Sequence, residues 1–189
     1  MIRNLLTVLL LFIGTVVFAQ NTEQFKINTA KSTVKWSGKK IVGGLTEGTI
    51  ALERGKLNFS KQQLVSGEIV MNTKSISSDK APAKLIQHLK NDDFFAVDKF
   101  PTASFVITSV SGNLVKGKMT IKGITHDLSF PADITYTKDA VIAKALEVKV
   151  NRTKYDVTYK SGSIFSGLGD GAIEDDFILH INLIGEKIN

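Results

Sequence analysis

The chain has 189 residues, 43% of them hydrophobic and 22% charged, a globular composition with length for one ordinary domain of roughly 100–200 residues. Cysteine is absent, which excludes disulfide frameworks, thiolate zinc sites, thiol nucleophiles and an acylated cysteine anchor. The net charge of +6, from 24 basic against 18 acidic residues, is modest and dispersed, so it suits solubility and predicts no nucleic-acid partner.

Residues 1–19 begin with Arg3, continue as an apolar run through Phe18 and end with the small residues Val17 and Ala19 spaced for a cut before Gln20. This predicts a secretory signal peptide, with residues 20–189 as one exported domain, periplasmic or secreted. The alternative is an uncleaved membrane anchor, for which the run is short.

Beyond that segment an apolar spacing of two dominates. Weak alternation marks strands over residues 33–37, 46–52 and 64–72, with turn signals at Gly43-Gly44 and Arg54-Gly55. Residues 82–91 break the pattern: Leu85, Ile86 and Leu89 share one side, and Pro82 suits a first helical position. A short amphipathic helix is expected there. Phe94-Phe95 and Phe100-Pro101 follow as an apolar patch, expected to fold back as a lid or plug over the end of a sheet. Strands resume over 103–110 and 115–121, joined by the tight hairpin signal Gly112-Asn113. After turn signals at Lys122-Gly123 and Lys138-Asp139, further strands are read over 128–136, 142–150 and 177–184. Residues 167–171 lack the Lys-Ser/Thr end of a phosphate loop and read as a surface loop. About eight antiparallel strands with one inserted helix predict an all-β barrel, a sandwich being the second choice.

Residues 91–105 (NDDFFAVDKFPTASF) resemble the dFFd…yP…F signature of the YceI-like polyisoprenoid-binding proteins, and residues 117–126 (GKMTIKGITH) resemble their G-x-L-T-I-x-G-x-T-K segment. Residues 67–76 fit the preceding strand, and residues 150–155 resemble the family's R-x-x-aromatic segment. The similarity runs from about residue 27 to residue 183. His126 departs from the usual Lys or Arg, and the stretch 161–171 is longer than in the shortest members. The resemblance implies an extended antiparallel eight-stranded lipocalin-like barrel with one short inserted helix. It also implies an exported, non-enzymatic protein that holds a polyisoprenoid or isoprenoid quinone in its lumen for carriage or storage. Two other functions stand beside it: a structural or stress-related envelope barrel without lipid, and an enzyme acting on a bound isoprenoid.

The residues expected to bind the ligand are Trp36, Ile69 and Met71 on the early strands, and Leu85, Leu89, Phe94 and Phe95 on the helix and lid. Phe105, Ile107, Gly117, Met119 and Ile121 are expected from the central hairpin, and Leu128, Phe130, Leu146, Val148 and Leu179 from the strands after it. Their mixture of large residues with small ones such as Ala103 and Ala132 permits a channel as well as a packed core; Gly117 is expected to border that channel. Trp36 lines the lumen or closes the barrel bottom. Arg152 pins a polar head group or pairs with Asp156 or Asp175. No catalytic residue, metal or cofactor is expected: His88, His126 and His180 lack ligand spacing, and Asp92-Asp93 suits capping or a turn. The partners expected are a hydrophobic isoprenoid lipid and transient contact with a membrane, for a monomer or homodimer.

Overall fold

The β6–β7 hairpin shows how the alternation builds the wall. In the computed structural model, which describes residues 22–188, β6 (Thr102–Ser111) and β7 (Leu114–Ile121) are joined by Gly112-Asn113. Gly112 has φ 58°, the left-handed region a two-residue hairpin loop needs. Ala103, Phe105, Ile107, Val115, Met119 and Ile121 are buried on one face, while Lys116 and Lys118 face water.

Nine further strands complete the sheet: β1 (Glu23–Ile27), β2 (Thr33–Lys39), β3 (Leu45–Thr49), β4 (Leu52–Ser60), β5 (Gln63–Asn72), β8 (Ile124–Pro131), β9 (Asp133–Tyr136), β10 (Ala140–Asn151) and β11 (Asp176–Lys187). One helix, α1 (Ala83–Lys90), is inserted before β6. All strand pairs are antiparallel. Pairing runs β4–β5–β6–β7–β8, and then the chain bends at Ala132. β8 ladders onto β7, while β9 ladders onto β10. β10 pairs with β11, β11 with β1, and β1 with β4. Counting β8 and β9 as one bent strand, the circuit has eight members, the number expected, with β1 and β4 in it and the expected β2 and β3 outside it. The wall is splayed where β8 passes β10 without a ladder among the described residues. β2 continues along β11 beyond β1 and carries β3 on its outer edge.

One end of this barrel is shut by aromatic rings. Phe25 and Phe59 meet edge-to-face at 5.3 Å, and Tyr136 lies 5.7 and 5.4 Å from them. The Tyr136 hydroxyl donates to Glu23, which also accepts from Lys187 Nζ at 2.6 Å.

Three expectations need correction. Arg54-Gly55 is not a turn but lies within β4; a Cβ on Gly55 would meet Ile27 Cγ1 at 2.8 Å, so the glycine serves close packing. The chain reverses instead at Lys61-Gln62, whose φ angles are 50° and 63° without a glycine to mark them. The strand read over 46–52 ends at Thr49, and β1 and β4 are additional strands. Residues 1–19, read as a signal peptide, lie outside the described residues.

Candidate functional site

The inward faces of the strands enclose two apolar cavities. The larger, about 110 Å³, lies beneath the lid between Trp36, Met71, Phe94, Phe95, Ile121 and Phe177. The deeper one, about 50 Å³, lies between Val34, Leu57, Ile69, Phe105, Phe130 and Leu183. Met71, Met119 and Leu179 line both.

The lid follows from its sequence. Pro82 precedes the first helical residue, and α1 carries Ile86 and Leu89 on the side packed against Ile76, Phe94 and Val157. Beyond the helix, Phe95 N donates to Leu89 O at 3.2 Å, and Ala96 takes φ 46°, turning the chain back. The two lid phenylalanines then dock on opposite partners, Phe94 5.9 Å from Tyr159 and Phe95 6.2 Å from Phe177. This fold-back over the barrel end is the arrangement expected from the apolar patch.

Arg152 fastens the lid end. It is 3% exposed, and its guanidinium donates to four backbone carbonyls: Nε to Glu174 (3.0 Å), Nη1 to Val157 (2.8 Å) and Tyr159 (3.0 Å), and Nη2 to Ile173 (3.1 Å). Its Cζ stands 5.9 Å from the Phe94 ring centroid, a cation–π contact that ties lid to wall. Burial pushes its pKa down against the opposing pull of Asp175, yet a guanidinium stays charged. Asp175 Oδ1 lies 3.8 Å away, so the salt-bridge reading holds for Asp175 and not for Asp156. Burial pushes the Asp175 carboxyl up, but hydrogen bonds from Ser161 and Ser163, with the Arg152 charge, outweigh it and hold the carboxyl below the usual aspartate range. Arg152 also borders the lid-side cavity, together with Thr73 and Glu174.

Thirteen of the expected ligand residues line the cavities. Trp36, Leu89, Phe94, Phe95 and Ile121 surround the lid-side one, and Ile69, Phe105, Ile107, Phe130 and Val148 the deeper one; Met71, Met119 and Leu179 belong to both. Trp36 therefore lines the lumen near the lid. Its indole donates to Thr49 O at 3.1 Å, and Gly48 leaves room for the ring, since a Cβ there would stand 2.5 Å from it.

Four expected residues lie elsewhere. Leu146 is 68% exposed, because β10 takes three steps from Ala145 to Val148 while β11 takes two. This bulge, with Glu147 at φ 56°, turns Leu146 outward. Gly117 does not border an open channel: a Cβ there would meet Val106 O at 2.3 Å and the Phe105 ring at 2.5 Å, so the ring fills that space. Leu128 packs against the core away from both cavities. Leu85 sits on α1, one residue before the inward Ile86.

The histidines stand apart on separate elements. His88 packs against Tyr159 at 4.5 Å, His126 Nε2 is 2.9 Å from Lys154 O, and His180 pairs with Lys35 on the β11–β2 ladder. Asp92 pairs with Lys99 at 2.8 Å, and Asp93 lies 3.4 Å from His88. Sequence reading missed Leu57, although Leu57 and Phe59 alternate with Lys56, Asn58 and Ser60. It also missed Phe177, two residues before Leu179 on β11, and Ile76, which packs against Leu89 and Phe94 of the lid.

Residues 25–184 match the model of the YceI-like domain family. A UPF0312 protein of Staphylococcus aureus is 30% identical over 128 residues, 64% of this chain and 71% of the relative. A UPF0312 protein of Shewanella denitrificans is 29% identical over 121 residues, 60% of this chain; the match spans 63% of that relative, under two thirds of its length. The fold is similar to the crystal structure of Burkholderia cenocepacia BcnA, with a TM-score of 0.67 at 20% identity, covering 84% of this chain and 98% of that one. It is also similar to a polyisoprenoid binding domain from Saccharophagus degradans implicated in plant cell wall breakdown, with a TM-score of 0.66 at 9% identity, covering 87% and 98%.

Proposed function

The chain belongs to the YceI-like domain family, and on that premise we propose that it is an exported, non-catalytic protein that holds a polyisoprenoid or isoprenoid quinone in its barrel for carriage or storage. The observation that carries this reading is the apolar cavity beneath the Phe94-Phe95 lid, whose inner surface is almost wholly apolar. Such a site suits a greasy tail. The fold shared with the Saccharophagus polyisoprenoid binding domain supports the same ligand class. At about 110 Å³ the cavity is smaller than the roughly 150 Å³ that admits a benzene ring. A chain of several isoprene units therefore enters by displacing the lid and side chains beneath it. Each methylene that becomes buried contributes roughly 0.8 kcal/mol toward the cost of ordering the tail.

Export rests on the signal-peptide pattern of residues 1–19. Transient membrane contact has a surface to act through. Ile41 and Val42 on one loop, Leu45 at the start of β3, and Ile164 and Phe165 on another loop are exposed. The two loops touch: Ile41 N donates to Ala172 O at 2.9 Å, and Lys40 bridges to Ile173, a residue of the cavity wall. Apolar tips beside a lipid cavity suit delivery from a bilayer.

The test is organic extraction of protein purified from a quinone-containing envelope, followed by mass spectrometry. A co-purified isoprenoid is expected; a lipid-free extract, with no binding of added prenols, overturns the reading. It would favour a structural envelope barrel, a second reading supported by the interruption of the hollow at Met71, Met119 and Leu179.

A further inference from the structure

Resting on the lipid reading, we propose that Met71 and Met119, with Leu179 opposite, form a movable waist that sets the length of isoprenoid chain the barrel accepts. The two cavities have these three lining residues in common and no others. All three are nearly inaccessible to solvent.

Strand order explains the convergence. Met71 on β5 pairs with Ala103 of β6, and Met119 on β7 pairs with Phe105 of the same strand. The methionines thus flank β6, two residues out of step. β11, which supplies Leu179, is four strands from β6 in either direction around the ring, on the opposite wall. The three side chains border both spaces from opposite walls, where the lid-side space gives way to the deeper one.

Their chemistry makes this separation movable. The chain's three methionines are Met1, outside the described residues, and the two at the waist. A methionine side chain is unbranched with three rotatable bonds, so it can swing aside where a leucine or isoleucine is held to fewer arrangements. Ala103, small and facing the lid-side cavity beside Met71, leaves room for that swing. A short isoprenoid fits above the waist with lid adjustment alone. A longer one must part the methionines to reach the deeper cavity, whose walls are almost wholly apolar.

The purified chain is titrated with all-trans prenols of two, three, four and six isoprene units. The emission of Trp36, the single tryptophan and part of the lid-side wall, reports binding. Each added unit is expected to tighten wild-type binding roughly tenfold until the waist is reached, and by less beyond it. In Met71→Ala the tightening continues, leaving the longest prenol bound at least about tenfold more tightly than by wild type. Because removing core volume can impair folding, the volume-conserving double variant Met71→Leu/Met119→Leu supplies the converse. The ratio of the longest prenol's affinity to the shortest's is expected to fall by roughly tenfold or more relative to wild type. The same length dependence in all three proteins, with short prenols still bound, overturns the waist alone. Failure of wild type to bind any prenol overturns the lipid reading and the waist with it.

Discussion

Arg152 shows how a charged side chain can be held by backbone carbonyls and still border an apolar cavity. Four of its N–H groups end on carbonyls of residues 157, 159, 173 and 174, so one side chain gathers the two arms of the loop between the 3₁₀ turn at Arg152–Tyr155 and β11. Arg152→Met keeps the length but strands four acceptors and Asp175. It is expected to cost about 3–5 kcal/mol, read as a lower midpoint in chemical denaturation; a loss below about 1 kcal/mol would show that the carbonyls find other partners. Leu146→Thr, at the exposed bulge, should change stability by no more than about 0.5 kcal/mol. The two residues also mark what sequence reading reaches. The Asp175 partner was among the expected ones because opposite charges are visible in a sequence. The carbonyl cage was not, since a backbone acceptor bears no residue type. Leu146 was misplaced because a bulge reverses the inward row, and its residues, Leu146 and Glu147, carry no glycine to announce it.

At the scale of elements, legibility followed periodicity. The β6–β7 hairpin and α1 were readable because their spacings of two and of three to four differ, and because Gly112-Asn113 and Pro82 mark their ends. The bent strand of β8 and β9 read as one run, since Leu128, Phe130, Ala132 and Ile134 keep their alternation while the hydrogen-bond partner changes. The lid is secured by a small satellite cluster, Ile76, Leu89, Phe94 and Val157, distinct from the main core. Such an element opens at lower free energy than the sheet beneath it. Leu89→Ala is therefore expected to speed amide hydrogen exchange in residues 83–101 while β5, β6 and β7 keep wild-type protection. Equal acceleration throughout would mean that lid and barrel open as one unit.

For the whole molecule, the polar clasp at the closed end ties three strands together. Hydrogen bonds from Lys187 and Tyr136 hold the Glu23 carboxyl below its ordinary range. A depressed carboxylate stabilises the fold above its unfolded value, near 4.3, and this contribution is lost as pH falls through the folded value. The same contact raises Tyr136 above its ordinary value, as it raises Lys187. Their contribution is present below about pH 10 and lost as pH rises through the folded values. Glu23→Gln is accordingly expected to lower the thermal midpoint between about pH 5 and 10, with the difference from wild type shrinking on both flanks. A pH-independent difference would assign the effect to packing instead.

β11 is the keystone of the circuit: it pairs with β10 on one edge and with both β2 and β1 on the other. It also follows every other described strand in chain order, and so leaves the ribosome after them. Until it emerges, β1 has only β4, β2 only β3 and β10 only β9 as neighbours, and pairings so distant in sequence form slowly. A nascent polypeptide built this way keeps its ring unlocked until the eleventh strand arrives to join both halves.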